Sequence, residues 1–283
     1  MKGTIEIICP LYNAEAYIEK LHQSILKQEN ANIERIHYIL TKSNDKSELI
    51  LKTLNLDYEL IEPHDFSHSL TREKAAMNSN ADIIVFITQD IVIEKKDWLS
   101  KLTEDIYRGN CEATYSRQLC NNNSIEKYTR EKNYPKESSI KDYNSIKELG
   151  LNTFFFSDAS SAISTKVFKE LNGYDSKKLP ISEDMYIAHK IIKNGYRIKY
   201  CADSEVIHSH DFSFKELFER YKLTGKFFKE NSFLNKYGTT ESGKNLAIYI
   251  LKRAVKEGNF NAMKEYIPNM IARYLGMKVG ELL

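Results

Sequence analysis

The run DIIVFITQDIVI, residues 82–93, constrains the fold more than any other stretch of this chain. Ile83 to Ile87 are short, mostly β-branched and without polar alternation, the pattern of a strand buried on both faces. Such strands belong to parallel sheets covered by helices, whereas a sheet with one wet face alternates apolar and polar residues. The run then meets Thr88, Gln89 and Asp90 before Ile91 to Ile93 resume the apolar pattern. A buried ionised carboxylate costs several kcal/mol unless it is paired or bound to a metal. Two readings of Asp90 follow: a turn at the exposed end of a strand, or a ligand held there for a cation.

The rest of the first half repeats the same alternation. TIEIICP (4–10) is a strand stopped by Pro10, which has no N–H for a ladder, and Asn13 can cap a helix carrying Ile18, Leu21 and Ile25 on one face. RIHYIL (35–40) and YELIE (58–62) are further strands, SLTREKAAM (69–77) and KDWLSKLTEDIY (96–107) are helices, and EATYS (112–116) is another strand. This spacing implies a mostly parallel α/β sheet with helices on both faces, in which ligands bind at the carboxyl ends of the strands. Asp90 is at such an end.

Residues 117–150 are polar and weakly patterned, which reads as a lid or mobile segment. FFFSDASSAIS (154–164) returns to buried structure, and Ser164 or Thr165 caps a short helix ending at Gly173. In ISEDMYIAHKIIKNGYRIKY (181–200), Ser182 is an N-cap, Met185, Ala188, Ile191 and Ile192 form a buried stripe, and YRIKY is an outer strand. A short strand, SEVIHSHDF, then ends in His208 and His210. From Ser213 the pattern is helical, opened by a Ser213–Glu216 capping box, with further helices near 243–256 and 260–275. Residues 211–283 hold 13 Lys and Arg against 8 Asp and Glu. That basic tail is either a solvated helical appendage packed on the sheet or a surface that meets anionic lipid headgroups.

Composition narrows the function classes. With 283 residues, 42% of them hydrophobic, there is enough apolar side chain for one large α/β domain and a small appendage. A net charge of +2 gives no argument for nucleic acid. The apolar runs are strand-length, too short to span a bilayer, and no signal-peptide pattern opens the chain. Cys9, Cys111, Cys120 and Cys201 lack any C-x-x-C spacing, so reduced thiols in a cytoplasmic protein are expected.

Asp90, the Glu183–Asp184 pair and the two histidines each fall at an element terminus. A hard cation bridging a diphosphate needs one or two carboxylates and tolerates an imidazole. The plainer readings are acidic residues favouring a helix dipole and histidines on a surface. Five segments carry a resemblance that bears on this choice: CPLYNAEAYIEKLHQSI, FSHSLTREKAAMNSNADIIVFITQD, FFFSDASSAIS with GYD, SEDMYIAHKIIKNGYRIKY, and VIHSHDFSFKELFERYKLTG. Together they resemble an inverting glycosyltransferase of family 2 with the GT-A fold, most similar to bacterial rhamnosyltransferases, over residues 1–230.

The resemblance implies a GT-A domain over 1–212, with a nucleotide-sugar half (1–116) and an acceptor half (117–212), followed by a helical region over 213–283. It implies that Asp90 binds the metal (Mg2+ or Mn2+) and diphosphate, in a Thr-Gln-Asp version of the usual Asp-x-Asp, with Thr88 in place of the first carboxylate. His208, with His210 as the neighbouring alternative, matches the further metal ligand. Asp184 matches the catalytic base, and Glu183 supports it or orients the acceptor. Pro10, Tyr12, Arg72 and Gln89 fall on the donor side, with Thr41 where the family has an aspartate that reads the pyrimidine and Asp45 a few residues on.

The implied donor is dTDP-L-rhamnose, with a UDP-sugar open, and the acceptor a glycan or lipid-linked oligosaccharide. A lipid-linked acceptor suits peripheral contact of the basic tail with the inner face of the plasma membrane; a soluble acceptor leaves the tail to pack a homodimer. A nucleotidyltransferase or a dinucleotide-dependent oxidoreductase would need a glycine-rich phosphate loop after a strand, and none is present. A sugar-nucleotide-binding scaffold without catalysis is the non-enzymatic alternative.

Overall fold

A computed structural model describes residues 3–238 and 240–283, with side chains at 240–242 set aside. Eight strands, β1 (Ile5–Leu11), β2 (Ile33–Thr41), β3 (Tyr58–Ile61), β4 (Ile83–Ile87), β5 (Ala113–Leu119), β6 (Ser139–Lys141), β7 (Ser160–Ser164) and β8 (Ile198–Ile207), form one sheet in the order β3-β2-β1-β4-β7-β5-β8-β6. The β3-β2-β1-β4 half is parallel; β7 runs antiparallel between β4 and β5, and β8 is parallel to β5. Helices α1 (Ile18–Leu26), α2 (Ser47–Thr53), α3 (His68–Asn78), α4 (Trp98–Tyr107), α5 (Ile125–Asn133), α6 (Ile146–Leu149), α7 (Thr165–Glu170) and α8 (Glu183–Lys193) connect the strands. Three longer helices follow, α9 (Phe214–Glu230), α10 (Thr240–Glu257) and α11 (Phe260–Leu282).

The central strand behaves as its composition requires. All five residues of β4 are buried, and they alternate between two core layers. Ile83, Val85 and Ile87 face α1 and α4, packing with Ile18, Leu21, Trp98 and Leu102. Ile84 and Phe86 face α3, α7 and α8, packing with Ala76, Phe168, Ile187 and Ile191. Each such side chain contributes about 1.5–3 kcal/mol by leaving water.

Several expectations are corrected. The 117–150 stretch, weakly patterned in sequence, carries regular structure: it completes β5, forms α5 and α6, and supplies edge strand β6. Lys141 of β6 explains the polar pattern, since its buried ammonium donates to the Tyr115 hydroxyl at 2.8 Å and the Phe155 carbonyl at 2.9 Å. YRIKY and SEVIH belong to the single strand β8, which is interior to β6 and slips register against β5 between Ser116 and Arg117. Asn13 does not cap α1; it sits in the left-handed region at φ 47°, and the helix begins four residues after Ala14 with no side-chain cap. Ser182 does occupy the N-cap of α8, but at φ 60° its hydroxyl makes no capping bond, and neither does Ser164 at the start of α7.

The Ser213–Glu216 capping box forms in full at α9. Helix α11 lies against α9 through glycines. A methyl group on Gly276 or Gly280 would collide with the carbonyl oxygens of Phe218 and Lys222, and one on Gly225 with that of Met277. The opposite side of α11 leaves Phe260, Ile267, Ile271, Tyr274 and Leu282 exposed, continuing Ile248, Leu251 and Val255 of α10. Among the described residues no helix is long and apolar enough to cross a membrane.

Gly280→Ala is expected to destabilise by about 1–3 kcal/mol through overpacking, despite alanine's better helix propensity. Gly243→Ala in α10, where nothing lies within 4 Å, is expected to be neutral or stabilising by up to about 1 kcal/mol. Thermal denaturation of both variants checks this; equal shifts would contradict backbone-close packing of α9 on α11.

Candidate active site

Beyond β4 the chain turns through Thr88, whose N–H donates to the Ala159 carbonyl at 3.2 Å, and reaches Asp90. It then pairs again. Val92 and Ile207 exchange two backbone hydrogen bonds, 2.8 and 2.9 Å, while Ile91 and Ile93 are buried on either side. This is why the apolar pattern resumes after the carboxylate. Since Ile207 ends β8, the bridge delivers His208 onto Asp90: His208 Nε2 lies 3.3 Å and His210 Nδ1 3.9 Å from Asp90 Oδ2. The three side chains offer ligand atoms within 4.8 Å of one another.

The protonation pattern of this cluster can be derived. Arg130 donates to Gln118 Oε1, and Gln118 Nε2 donates to Ser157 Oγ at 2.8 Å, so the Gln118 carbonyl oxygen faces His208. His208 Nδ1, 2.8 Å from that oxygen, is therefore the donor. Its Nε2 is left facing Asp90 with either a second proton or a cation between them, the arrangement seen for imidazole ligands oriented by an outer partner. Burial alone would raise the Asp90 carboxyl, but the facing imidazoles and the Thr88 hydroxyl outweigh it and hold it far below the ordinary range. Burial, together with His208 beside it, pushes His210 down to about 4, so it is a neutral imidazole near pH 7. An ionised carboxylate with two imidazoles fits a divalent cation.

The adjacent strand ends form the donor-side wall. Pro10 does not stop β1, which pairs on through Leu11 because the proline lies beside Ile39 within the ladder; Tyr12 follows the strand's end and its ring is exposed. Gln89 spends both ends of its amide on the Tyr12 backbone, accepting from N–H at 2.8 Å and donating to C=O at 2.9 Å. It positions this loop. Thr41 closes β2, and its buried hydroxyl has no hydrogen-bond partner among the described residues. Asp45 is engaged by Ser43, by Ser47 and by the Glu15 N–H, so it braces the loop and does not project as a base reader.

A second cluster lies near the same end of β1. Arg72, only 2% exposed, places its guanidinium 3.3 Å from Glu183 in the first turn of α8. Asp158 is buried beside them and accepts from Ser161 at 2.8 Å and Tyr174 at 2.7 Å. Two carboxyls, Glu183 and Asp158, thus share one buried guanidinium. Glu183 takes the ion pair. Burial pushes Asp158 up to about 6, with Arg72 opposing. Asp184 is pushed well above the ordinary carboxylate range by burial and by the negative charges of Glu183 and Asp158. One Asp184 oxygen accepts from the Met185 N–H at 2.7 Å, and the other has no partner among the described residues. Cys9 of β1 feels the charges of both Arg72 and Asp90, so the two clusters flank the same strand end.

Sequence reasoning missed Asp158, Gln118 and Arg130. The only available signal for Asp158 was a lone carboxylate in the otherwise buried FFFSDASSAIS. A groove of about 830 Å³ between β3 and α3, lined by Glu59, Glu62 and Glu73, contains none of the candidate residues.

Residues 6–172 match Glycosyl transferase family 2. The chain is 32% identical to the O-antigen chain rhamnosyltransferase WbaN of Salmonella anatum, over 97% of this chain and 88% of that protein. It is 30% identical to the O-antigen chain rhamnosyltransferase RfbN of Salmonella typhimurium, over 98% and 89%. In fold it is similar to the mannosyltransferase PcManGT from Pyrobaculum calidifontis in complex with GDP-Man and Mn2+, with TM-score 0.67, 14% identity, all of this chain and 87% of that one. It is also similar to S. aureus TarS, with TM-score 0.55, 18% identity and 89% of this chain, although it spans only 43% of the TarS chain. On the family match and on relatives spanning nearly its whole length, the chain belongs to glycosyltransferase family 2.

Proposed function

We propose that this glycosyltransferase is metal-dependent and inverting, and transfers L-rhamnose from dTDP-L-rhamnose onto a surface polysaccharide or lipid-linked glycan. The observation that carries the mechanism is that the Asp90–His208–His210 cluster and an Asp184 with one free oxygen both lie within reach of the Arg220 charge. The choice of rhamnose is supported by the rhamnosyltransferase activity of both Salmonella relatives. Metal use is supported by the ligand set and by the Mn2+ named for the PcManGT complex.

Asp90, His208 and His210 would hold Mg2+ or Mn2+, which when bound supplies positive charge beside the departing diphosphate. Pro10 and Tyr12 form the wall beside the base, with the unpartnered Thr41 hydroxyl available to it and Gln89 fixing the loop. Arg72 neutralises Glu183, which leaves Asp184 as the carboxylate able to take a proton. The acceptor hydroxyl gives its proton to Asp184 as its oxygen attacks the anomeric carbon, and the bond from that carbon to the diphosphate oxygen breaks. One base and no enzyme nucleophile give a single displacement with inversion. Glu183, held by Arg72, orients α8 and the acceptor side. A cytoplasmic enzyme resting on the inner leaflet is supported by the exposed apolar stripe of α10 and α11 and by exposed Lys252, Lys256 and Lys264.

Asp184→Asn is expected to lower kcat by about 100- to 10,000-fold while nucleotide affinity stays unchanged. Because the base acts deprotonated and its proton affinity is raised, kcat/KM is expected to fall with decreasing pH through an apparent pKa above the usual value of about 4. An acid limb at the ordinary value, or an active Asp184→Asn enzyme, would contradict this role.

Calorimetric titration with dTDP and UDP, each with and without Mn2+, tests the donor. Tighter, metal-dependent dTDP binding is expected, and Asp90→Ala is expected to abolish the metal dependence. Tighter UDP binding would move the donor to a UDP-hexose, and binding of neither nucleotide would contradict the site.

A further inference from the structure

One exposed cation beside the histidine segment makes no ion pair among the described residues. Arg220 lies in α9, which the Ser213–Glu216 box starts immediately after the histidine segment. Its guanidinium makes no hydrogen bond or ion pair among the described residues. The nearest acids on its own helix are engaged elsewhere, Glu216 with the Ser213 N–H and hydroxyl and Glu219 with Lys222. By contrast, Arg72 is paired with Glu183 and Arg130 with Glu126.

The position of Arg220 is set by stacking. Its guanidinium carbon lies 5.6 Å from the Phe212 ring centre, and Phe212 stacks on His210 at 4.8 Å and 24°. His210 in turn lies against Asp90. The charge of Arg220 bears on His210, on His68 at the start of α3 and on Asp184. Arg220 is therefore within electrostatic reach of the cation cluster and of the candidate base at once. The transferred sugar must lie between those two, and the phosphate next to it is the distal phosphate of the nucleoside diphosphate. A stacked guanidinium loses little freedom on binding and matches a phosphate with two parallel donors.

We infer that Arg220 binds the distal phosphate of the donor and holds the nucleoside diphosphate as it leaves. This rests on the nucleotide-sugar reading of the Asp90 site and assigns one further residue to it.

The test is titration of the full chain with dTDP and dTMP, with Mn2+ and separately in EDTA, for the wild type, Arg220→Ala and Arg220→Lys, with circular dichroism on each. Loss of a charged hydrogen-bonding partner is expected to weaken dTDP binding about 10- to 100-fold, in EDTA as well as with Mn2+, and to leave dTMP within about twofold. Arg220→Lys keeps the charge without the fork and is expected to fall between, which reads out the contact even if the alanine variant folds poorly. Unchanged dTDP affinity in Arg220→Ala, or equal weakening of dTDP and dTMP, would overturn the assignment while leaving the site reading intact. Failure of the wild type to bind dTDP, or UDP in the same experiment, would overturn both.

Discussion

The two backbone hydrogen bonds between Val92 and Ile207 are the constraint on which the site depends. They tie the segment after β4 to the last residue of β8, although β7 and β5 stand between those strands in the sheet. After the register slip between Ser116 and Arg117 the end of β8 stays paired with β5 through Leu119, so Ile207 is held by both Leu119 and Val92. Burial of Ile91 and Ile93 in the core then fixes the turn from below. Asp90 is left facing the imidazoles. A family 2 glycosyltransferase thus brings one carboxylate and two imidazoles together from residues more than a hundred positions apart, through main-chain contacts.

Charge accounting divides labour between adjacent acids. Glu183 and Asp184 share the first turn of α8, where a helix dipole would favour ionisation of both. The buried Arg72 can neutralise only one neighbour fully, and its geometry selects Glu183. Asp158 adds a further carboxyl to the same pocket and raises the proton affinity of Asp184. Near neutral pH such a carboxyl is a better proton acceptor than an ordinary surface aspartate. Ser182, held at φ 60° immediately before the pair, concentrates local backbone strain at the start of this helix.

What the sequence disclosed followed from local pattern. The unbroken apolar run of β4, the alternation of strands with helices, and the Ser213–Glu216 box each depend on residues close in sequence, and each was legible. The terminal positions of Asp90, His208 and Asp184 could also be read, since they mark where a pattern stops. Edge strand β6 could not be, because three residues with an aliphatic centre have no measurable period and exist as a strand only by pairing with β8. Asn13 and Ser182 looked like caps because propensity favours them there, yet both backbones lie in the left-handed region. Gln118 and Arg130 act on His208 across 90 and 78 positions, a distance over which no periodicity carries information.

The most direct measurement is electron spin-echo envelope modulation of Mn2+ bound to the protein with dTDP. Nitrogen modulation from a directly ligated imidazole is expected, arising from His208, whose Nδ1 is held by Gln118, and greatly reduced in His208→Phe. A Mn2+ spectrum with coupling only to water, carboxylate and phosphate, unchanged by that substitution, would contradict the assignment of the Asp90–His208–His210 cluster as the cation site.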